Sequence, residues 1–565
     1  MYIIKTTNLG FSYPQKENAL KNISLSILEG EFVIVFGGTG CGKTTLLKLL
    51  KPENTPIGKI SGEIEFKGDS IGKLNKIDSA CGIGFVMQNP EMQIVTDTVK
   101  HELAFGLENI GVKPVEIRRR IAETANFFGI SDWYNKRTTE LSGGQKQILN
   151  LASILVMQPK LLILDEPTSH LDPVAAHEFI MLLKRLNNEL GISIIISEHR
   201  LEELFPIADR AIAMEGGRVL FCCKPREVNR QLRNISGNHP MLSALPSATR
   251  IYNGLSAEIE MDSPLTIREG IKFISDNYKN EILELDSEDS NLDGMGTAVE
   301  LKNVYFKYNK NSDDILSGIS LQVFKSEIFT ILGGNGVGKT TTLNIISGKN
   351  KPYSGKVMID GKNIKSYKNK ELYHNNIAFL PQDPQVVFLK TTVKADFYLA
   401  CKMMNYSDEE SEKLIVKIAK SLNIMEVLDY HPYDLSGGEQ QKAAIAKLLL
   451  LKPKIILFDE PTKAIDSYSK IKLGEIFQQL KRNGITIIIV SHDVEFSAIN
   501  SDRCAMLFNG EIVSIDTPKS FFSNNSFYTT GASRISRNKY RNAVTCGDVI
   551  RLCEINGLKS KNDQT

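Results

Sequence analysis

The sequence lacks any apolar run approaching ~18 residues, so the chain is expected to carry no membrane-crossing helix of its own. Its opening, MYIIKTTNLGFSY, lacks a basic stretch followed by a long apolar one, so no signal peptide is expected. It also lacks an excess of charge of either sign. Lys and Arg total 68 against 66 Asp and Glu, so no dominant nucleic-acid-binding field is expected. None of its eight cysteines (Cys41, Cys81, Cys222, Cys223, Cys401, Cys504, Cys546, Cys553) falls in CxxC spacing, which argues against a zinc or iron–sulfur site and for scattered reduced thiols. What remains, 42% hydrophobic and 24% charged residues over 565 positions, is the balance of an ordinary globular protein of several domains.

What the sequence does contain, it contains twice. Five blocks recur in the same order. The first copy has Gly37-Gly38-Thr39-Gly40-Cys41-Gly42-Lys43-Thr44, then Gln88, Leu141-Ser142-Gly143-Gly144-Gln145, an apolar run ending Asp165-Glu166-Pro167-Thr168, and His199. The second has Gly333-Gly334-Asn335-Gly336-Val337-Gly338-Lys339-Thr340, then Gln382, Leu435-Ser436-Gly437-Gly438-Glu439, Asp459-Glu460-Pro461-Thr462, and His492. Lys43 and Lys339 lie 296 residues apart, Glu166 and Glu460 294, so the internal spacing holds. This is a tandem duplication of a whole domain and not a solenoid, whose period would be ~20–50 residues. The expected division is a first domain over 1–225, a linker over 226–296, a second domain over 297–530 and a tail over 531–565. The linker holds seven basic and twelve acidic residues, and its end (286–296) has no apolar periodicity, so it reads as flexible; the last residues of the tail read as disordered.

The glycine-rich loops follow apolar runs (Glu31–Phe36 in the first copy) and precede helix-compatible stretches. Strand, loop and helix in that order form the setting in which a GxxxxGK[ST] match is a phosphate site. The glycines let successive amides turn into one concavity that suits a triphosphate at the positive end of a helix. Lys43 and Lys339 would reach its outer phosphates; Thr44 and Thr340 would place hydroxyls on Mg²⁺, with Thr45 and Thr341 beside them. Asp165 and Asp459 end apolar strands, where a carboxylate needs a reason to be buried; holding Mg²⁺ supplies one. The adjacent Glu166 and Glu460 could polarise an attacking water. His199 and His492 follow further β-rich runs and could contact the terminal phosphate, while Gln88 and Gln382 could complete the Mg²⁺ shell. Tyr13 and Tyr308 lie upstream at similar distances. They could stack on a nucleobase, or simply be core or surface tyrosines. Apolar residues at Ile117, Ile121, Ala125 and Phe128 predict an amphipathic helix ahead of the Leu141 block.

The two Leu-Ser-Gly-Gly blocks, each ahead of an Asp-Glu-Pro-Thr strand, resemble the signature of the ABC ATPases. The resemblance spans about 450 residues over both copies. It implies an α/β fold: two tandem P-loop NTPase domains, each with a mainly parallel core sheet, an antiparallel β subdomain and a helical signature subdomain. It also implies a head-to-tail sandwich binding two ATP, with Ser436, Gly437 and Gly438 completing the site of Lys43, and Ser142, Gly143 and Gly144 that of Lys339. Both sites keep every catalytic residue type, so two hydrolysis-competent sites are expected.

The segment Gln88–Asn109 and the run Ser197–Glu203 resemble those of energy-coupling factor ATPases, which drive uptake of vitamins or of cobalt and nickel ions in prokaryotes. That resemblance implies a polytopic membrane coupling protein and a small substrate-binding membrane subunit as partners, and a place on the cytoplasmic face of the membrane. The second copy departs from the pattern over Gln382–Phe397, so unequal docking surfaces are expected. The alternative is a soluble tandem ABC protein acting on ribosomes, but such a linker should be basic, and this one is acidic. A DNA-repair or chromosome ATPase would need a long insertion between P-loop and signature; the interval Thr45–Leu141 holds none.

Overall fold

The computed structural model describes residues 1–14, 17–255, 262–279, 281–285, 294–463 and 465–558. The expected flexible acidic run over 286–293 and the last seven residues lie outside them. The chain divides into two compact units, one of Met1–Pro246 with the stretch ending at Leu265, the other of the remaining described residues.

Each unit is built on the same two sheets. In the first, a six-stranded sheet runs in the order Arg218–Cys223, Arg210–Glu215, Phe32–Gly37, Ser193–Ser197, Leu161–Asp165, Ile83–Val86, parallel except for its Arg218–Cys223 edge. The central strands are buried at every position, which explains why they read as unbroken Val, Ile and Leu runs without alternation. An antiparallel sheet of Leu20–Leu28, Tyr2–Ser12, Lys59–Phe66 and Asp69–Ser70 stands beside it. The second unit repeats both: Ile377–Leu380, Ile455–Asp459, Thr486–Ser491, Ile328–Leu332, Arg503–Phe508 and Glu511–Asp516, then Leu316–Phe324, Thr297–Phe306, Ser354–Ile359 and Lys362–Asn363. The fold class inferred from the motifs is the one observed.

The helical part of the first unit comprises Val99–Asn109, Pro114–Phe128 and Gly143–Leu155 around Leu103, Leu107, Ile121 and Leu149. Ile117, Ile121 and Ala125 face this core, as their spacing required. Among the described residues no helix is long and apolar enough to cross a membrane.

The second unit also holds a helical cluster assembled from distant stretches: Ser247–Leu255 and Ile267–Asn277 from between the repeats, and Gly531–Ser536 and Cys546–Asn556 from after the second. Leu283–Glu284 pairs in parallel with Tyr540–Arg541. Phe273 lies at the centre, edge-on to Tyr252 at 5.3 Å and to Tyr278 at 6.1 Å. Neither half buries its apolar face alone, so the second sequence half serves as the core of the first. Phe273→Ala should therefore cost about 3–5 kcal/mol of cluster stability. A lower first transition in denaturant, with nucleotide binding intact at low denaturant, is the expected reading; an unchanged transition would show the cluster adds nothing.

Candidate functional site

In both units the central parallel strand runs into the glycine loop. Phe32–Gly37 leads to a helix opening at Lys43, and Ile328–Leu332 to one opening at Lys339. The turn needs Gly42 (φ 106°) and Gly338 (φ 104°), a region closed to most side chains. A Cβ on Gly42 would lie 2.8 Å from Leu20 Cδ2, and one on Gly338 2.7 Å from Leu316 Cδ2. The loops thus sit hard against the antiparallel sheet. Both lysines are buried and curl back over their loops: Lys43 Nζ donates to Gly37 O (3.0 Å) and Gly38 O (3.2 Å), Lys339 Nζ to Gly333 O (3.0 Å) and Gly334 O (2.9 Å).

The acidic pairs lie across from the loops. Thr44 Oγ1 donates to Asp165 Oδ1 at 3.1 Å, and Thr340 Oγ1 to Asp459 Oδ1 at 3.0 Å. Lys43 Nζ is 3.9 Å from Glu166 and Lys339 Nζ 3.7 Å from Glu460. Glu166 and Glu460 are buried and adopt left-handed backbone, φ 45° and 51°. That conformation costs an L-residue roughly 1–2 kcal/mol, and its recurrence in both copies marks stored strain at the site. Hydrogen bonds hold it: Glu166 N donates to Ser197 O (3.0 Å), and Glu460 N to Val490 O (2.9 Å).

Both histidines meet these glutamates. His199 Nε2 is 2.8 Å from Glu166 Oε1, and His492 Nδ1 2.8 Å from Glu460 Oε2. The glutamines differ: Gln88 Nε2 donates to Glu166 Oε2 at 3.0 Å, whereas Gln382 is exposed. Tyr13 and Tyr308 each bond the threonine after their loop, Oη to Thr45 Oγ1 at 2.9 Å and to Thr341 Oγ1 at 3.1 Å. The signature serines cap helices. Ser142 exchanges hydrogen bonds with Gln145 ahead of Gly143–Leu155, and Ser436 does so with Glu439 ahead of Gly437–Leu449.

Three residues at the site were given no role there by the motifs, although Ser197 and Glu198 open the Ser197–Glu203 run. Ser197 donates to Asp165 Oδ1 at 2.7 Å. Glu198, whose carboxyl burial pushes up, accepts from Thr168 N (2.8 Å) and Thr168 Oγ1 (2.7 Å). In the second copy Lys463 replaces Ser169; burial pulls its ammonium down against the charges of Glu460, Asp459 and Asp383. Comparing the copies residue by residue would have flagged all three.

Charge is handled differently within each pair. Burial pushes Asp459 up to about 6, with the Glu460 charge adding and the Thr340 hydrogen bond opposing; Asp165 is raised by burial in the same way. Burial also works to raise Glu460, yet His492 and Lys339 hold it below the usual carboxylate range.

Comparison with known proteins identifies the family. The ABC transporter family model matches residues 20–169 and again 316–463. The chain belongs to the ABC transporter ATP-binding family. A Bacillus cereus protein, itself named as an inferred ABC transporter ATP-binding protein, is 41% identical over 559 residues, 98% of each chain. Similarly named proteins of Clostridium tetani and Methanosarcina mazei are 35% identical over 81% of this chain and all of theirs, and 31% identical over 91% and 89%. Among solved structures, cbiO1 of Clostridium perfringens, titled as part of the ABC transporter complex cbiONQ, is 34% identical over 43% of this chain and 97% of its own, with a TM-score of 0.38.

The two ABC ATPase domains bind ATP. A divalent cation fits the donor sets beside them. Each offers a threonine hydroxyl and an aspartate carboxylate, oxygen ligands of the kind Mg²⁺ takes. Burial opposes the charge of both aspartates, and a cation held there would relieve that opposition. In metal- and nucleotide-free protein, Asp459 therefore contributes stability at low pH that is lost as pH rises through about 6. Asp459→Asn should remove that loss, stabilising this form at pH 7.5 by on the order of 2–3 kcal/mol, with the gain fading towards pH 4. Thermal unfolding across pH checks it; a gain independent of pH would refute the assignment.

Proposed function

We propose that this chain is the ATP-hydrolysing motor of a membrane importer of the energy-coupling factor type, taking up a vitamin or a transition-metal ion. Residues 1–225 and 297–530 would be its motor domains, joined through 226–296 and extended by 531–565. The observation that carries the reading is apolar exposure just after each Gln88-type residue: Met92 (79% exposed) and Val95 (66%), and Val386 (66%) and Leu389 (74%). Paired apolar side chains held in water at corresponding places call for a partner surface. A polytopic membrane coupling protein bearing cytoplasmic helices, joined by a small substrate-binding membrane subunit, would cover them and hold the chain on the cytoplasmic face. A ribosomal role is not favoured: the segment between the repeats is acidic, and the relatives matched end to end are transporter proteins by name.

In this reading Lys43 and Lys339 leave their loop carbonyls for the β- and γ-phosphates, and the loop amides wrap the triphosphate. Mg²⁺, when bound, would offset charge on the phosphate oxygens. Thr44 with Asp165, and Thr340 with Asp459, would hold it, and Gln88 and Gln382 would close its shell. Glu166 and Glu460 accept a proton from the attacking water. His199 and His492 orient those carboxylates and present an N–H to the γ-phosphate. Ser142 and Ser436, with the amides of Gly143, Gly144, Gly437 and Gly438, present helix N-termini that suit an anion. Each would complete the site of the other domain, so that ATP draws the two domains together and its hydrolysis releases them. Tyr13 and Tyr308 would flank the adenine.

Glu166→Gln or Glu460→Gln should lower ATP turnover on the order of 10²-fold or more while ATP binding persists. Normal turnover in both variants would remove the two glutamates from their role. The tagged chain, drawn from gently solubilised native membranes, should bring a polytopic membrane protein and a small hydrophobic subunit. Ribosomal proteins in their place would overturn the importer reading.

A further inference from the structure

The antiparallel sheet of the first unit carries a cleft of about 480 Å³ that the ATP site does not use. It lies over Gly10–Ser12, Asn18, Leu20–Asn22 and Lys59–Ser61, with Arg218 at its rim; neither Tyr13 nor any P-loop residue lines it. Lys21, Lys59 and Arg218 all face it, no lining residue is acidic, and among the described residues none of the three forms an ion pair. Glu215 lies across the strand pair from Arg218 but meets His239 at 3.7 Å, and the three cations lining the cleft repel one another, a repulsion that an anion placed among them would relieve.

The second unit shows why the cleft is open. Gly10 sits opposite Ser61, and its counterpart Tyr305 sits opposite Ser354. The Tyr305 ring fills the equivalent space: its hydroxyl would be 2.9 Å from a Cβ on Gly318, and its ring centroid is 6.1 Å from that of Tyr353. The cations are replaced too. The backbone N–H of Ser317 donates to Gly510 O as that of Lys21 does to Gly217 O, so Ser317 holds the place of Lys21, and Glu511 holds the strand position of Arg218. The same scaffold is therefore filled by Tyr305 in one copy, with Lys307 over Tyr353 and Glu511 in place of Arg218, and open and lined by three cations in the other.

We propose that this cleft is a separate anion site for a phosphate-bearing ligand of about nucleotide size. The phosphate sits among Lys21, Lys59 and Arg218, and the body of the ligand lies over Gly10, where the second copy has the Tyr305 ring. A soluble phosphate ester and an anionic phospholipid headgroup share this chemistry.

The test uses the full chain carrying Lys43→Ala and Lys339→Ala, so that the P-loops contribute little. Pyrophosphate is titrated by calorimetry, and vesicles of phosphatidylcholine with or without phosphatidylglycerol are co-sedimented. Arg218→Glu, and separately Lys21→Ser with Lys59→Ser, should each weaken binding about ten-fold or more, since charge-assisted hydrogen bonds to phosphate are lost. In the otherwise unmodified chain these rim variants should keep ATP turnover and unfolding midpoint. Loss confined to pyrophosphate identifies a soluble ligand; loss confined to phosphatidylglycerol vesicles identifies the headgroup. If neither probe binds, or both rim variants bind each probe as tightly as their parent, the proposal falls.

Discussion

Everything at the site hangs on an acidic pair placed where it should not be comfortable. Asp165–Glu166 and Asp459–Glu460 end strands that are buried at every position. Two neighbouring carboxylates there repel each other and lose water. The fold answers with one lysine from the loop, one histidine and one threonine for each pair, all within hydrogen-bond or ion-pair distance. Removing a partner would leave a buried charge unpaired, which costs more than the lost contact itself. The left-handed turn at each glutamate is the backbone's share of the same arrangement, because it swings the second carboxylate off the strand towards lysine and histidine.

The residues that make this constellation were legible because their chemistry is dictated by position. A lysine must follow the glycine loop, and the paired acids must end a buried strand. Hydrophobic runs placed the strands to within a residue or so. The strain at Glu166 and Glu460 was not legible, since nothing in an Asp-Glu-Pro-Thr run announces φ near 50°. Nor was the helical cluster around Phe273. Its two halves are separated by the whole second repeat, and periodicity reports which face is apolar but not what will cover it.

The copies agree at the glycine loop's lysine and the acidic pair and diverge one step further out. In the first, the His199 amide donates to Glu198 (3.2 Å), leaving Glu166 to the Gln88 amide and the His199 ring. In the second, Ser491 stands in place of Glu198, and the His492 amide donates to Glu460 itself (3.2 Å). Lys463 adds a cation beside that pair where the first copy has Ser169. Two sites with the same primary residues thus stand in different electrostatic surroundings.

That pattern constrains how a fused pair differs from two identical subunits. A homodimer must keep every surface twice, so a feature useful on one side is imposed on the other. Fusion lifts that requirement. Gly10 against Tyr305, Arg218 against Glu511 and Ser169 against Lys463 are substitutions of shape and charge at matched places on one scaffold. The glycine loop admits no such freedom at Gly42 and Gly338, though it varies at Thr39 against Asn335 and Cys41 against Val337. A side chain on Gly42 or Gly338 would collide with Leu20 or Leu316, and the lysine would no longer curl over carbonyls set by that turn. The duplicated core is held by sterics, and the asymmetry gathers wherever sterics allow it.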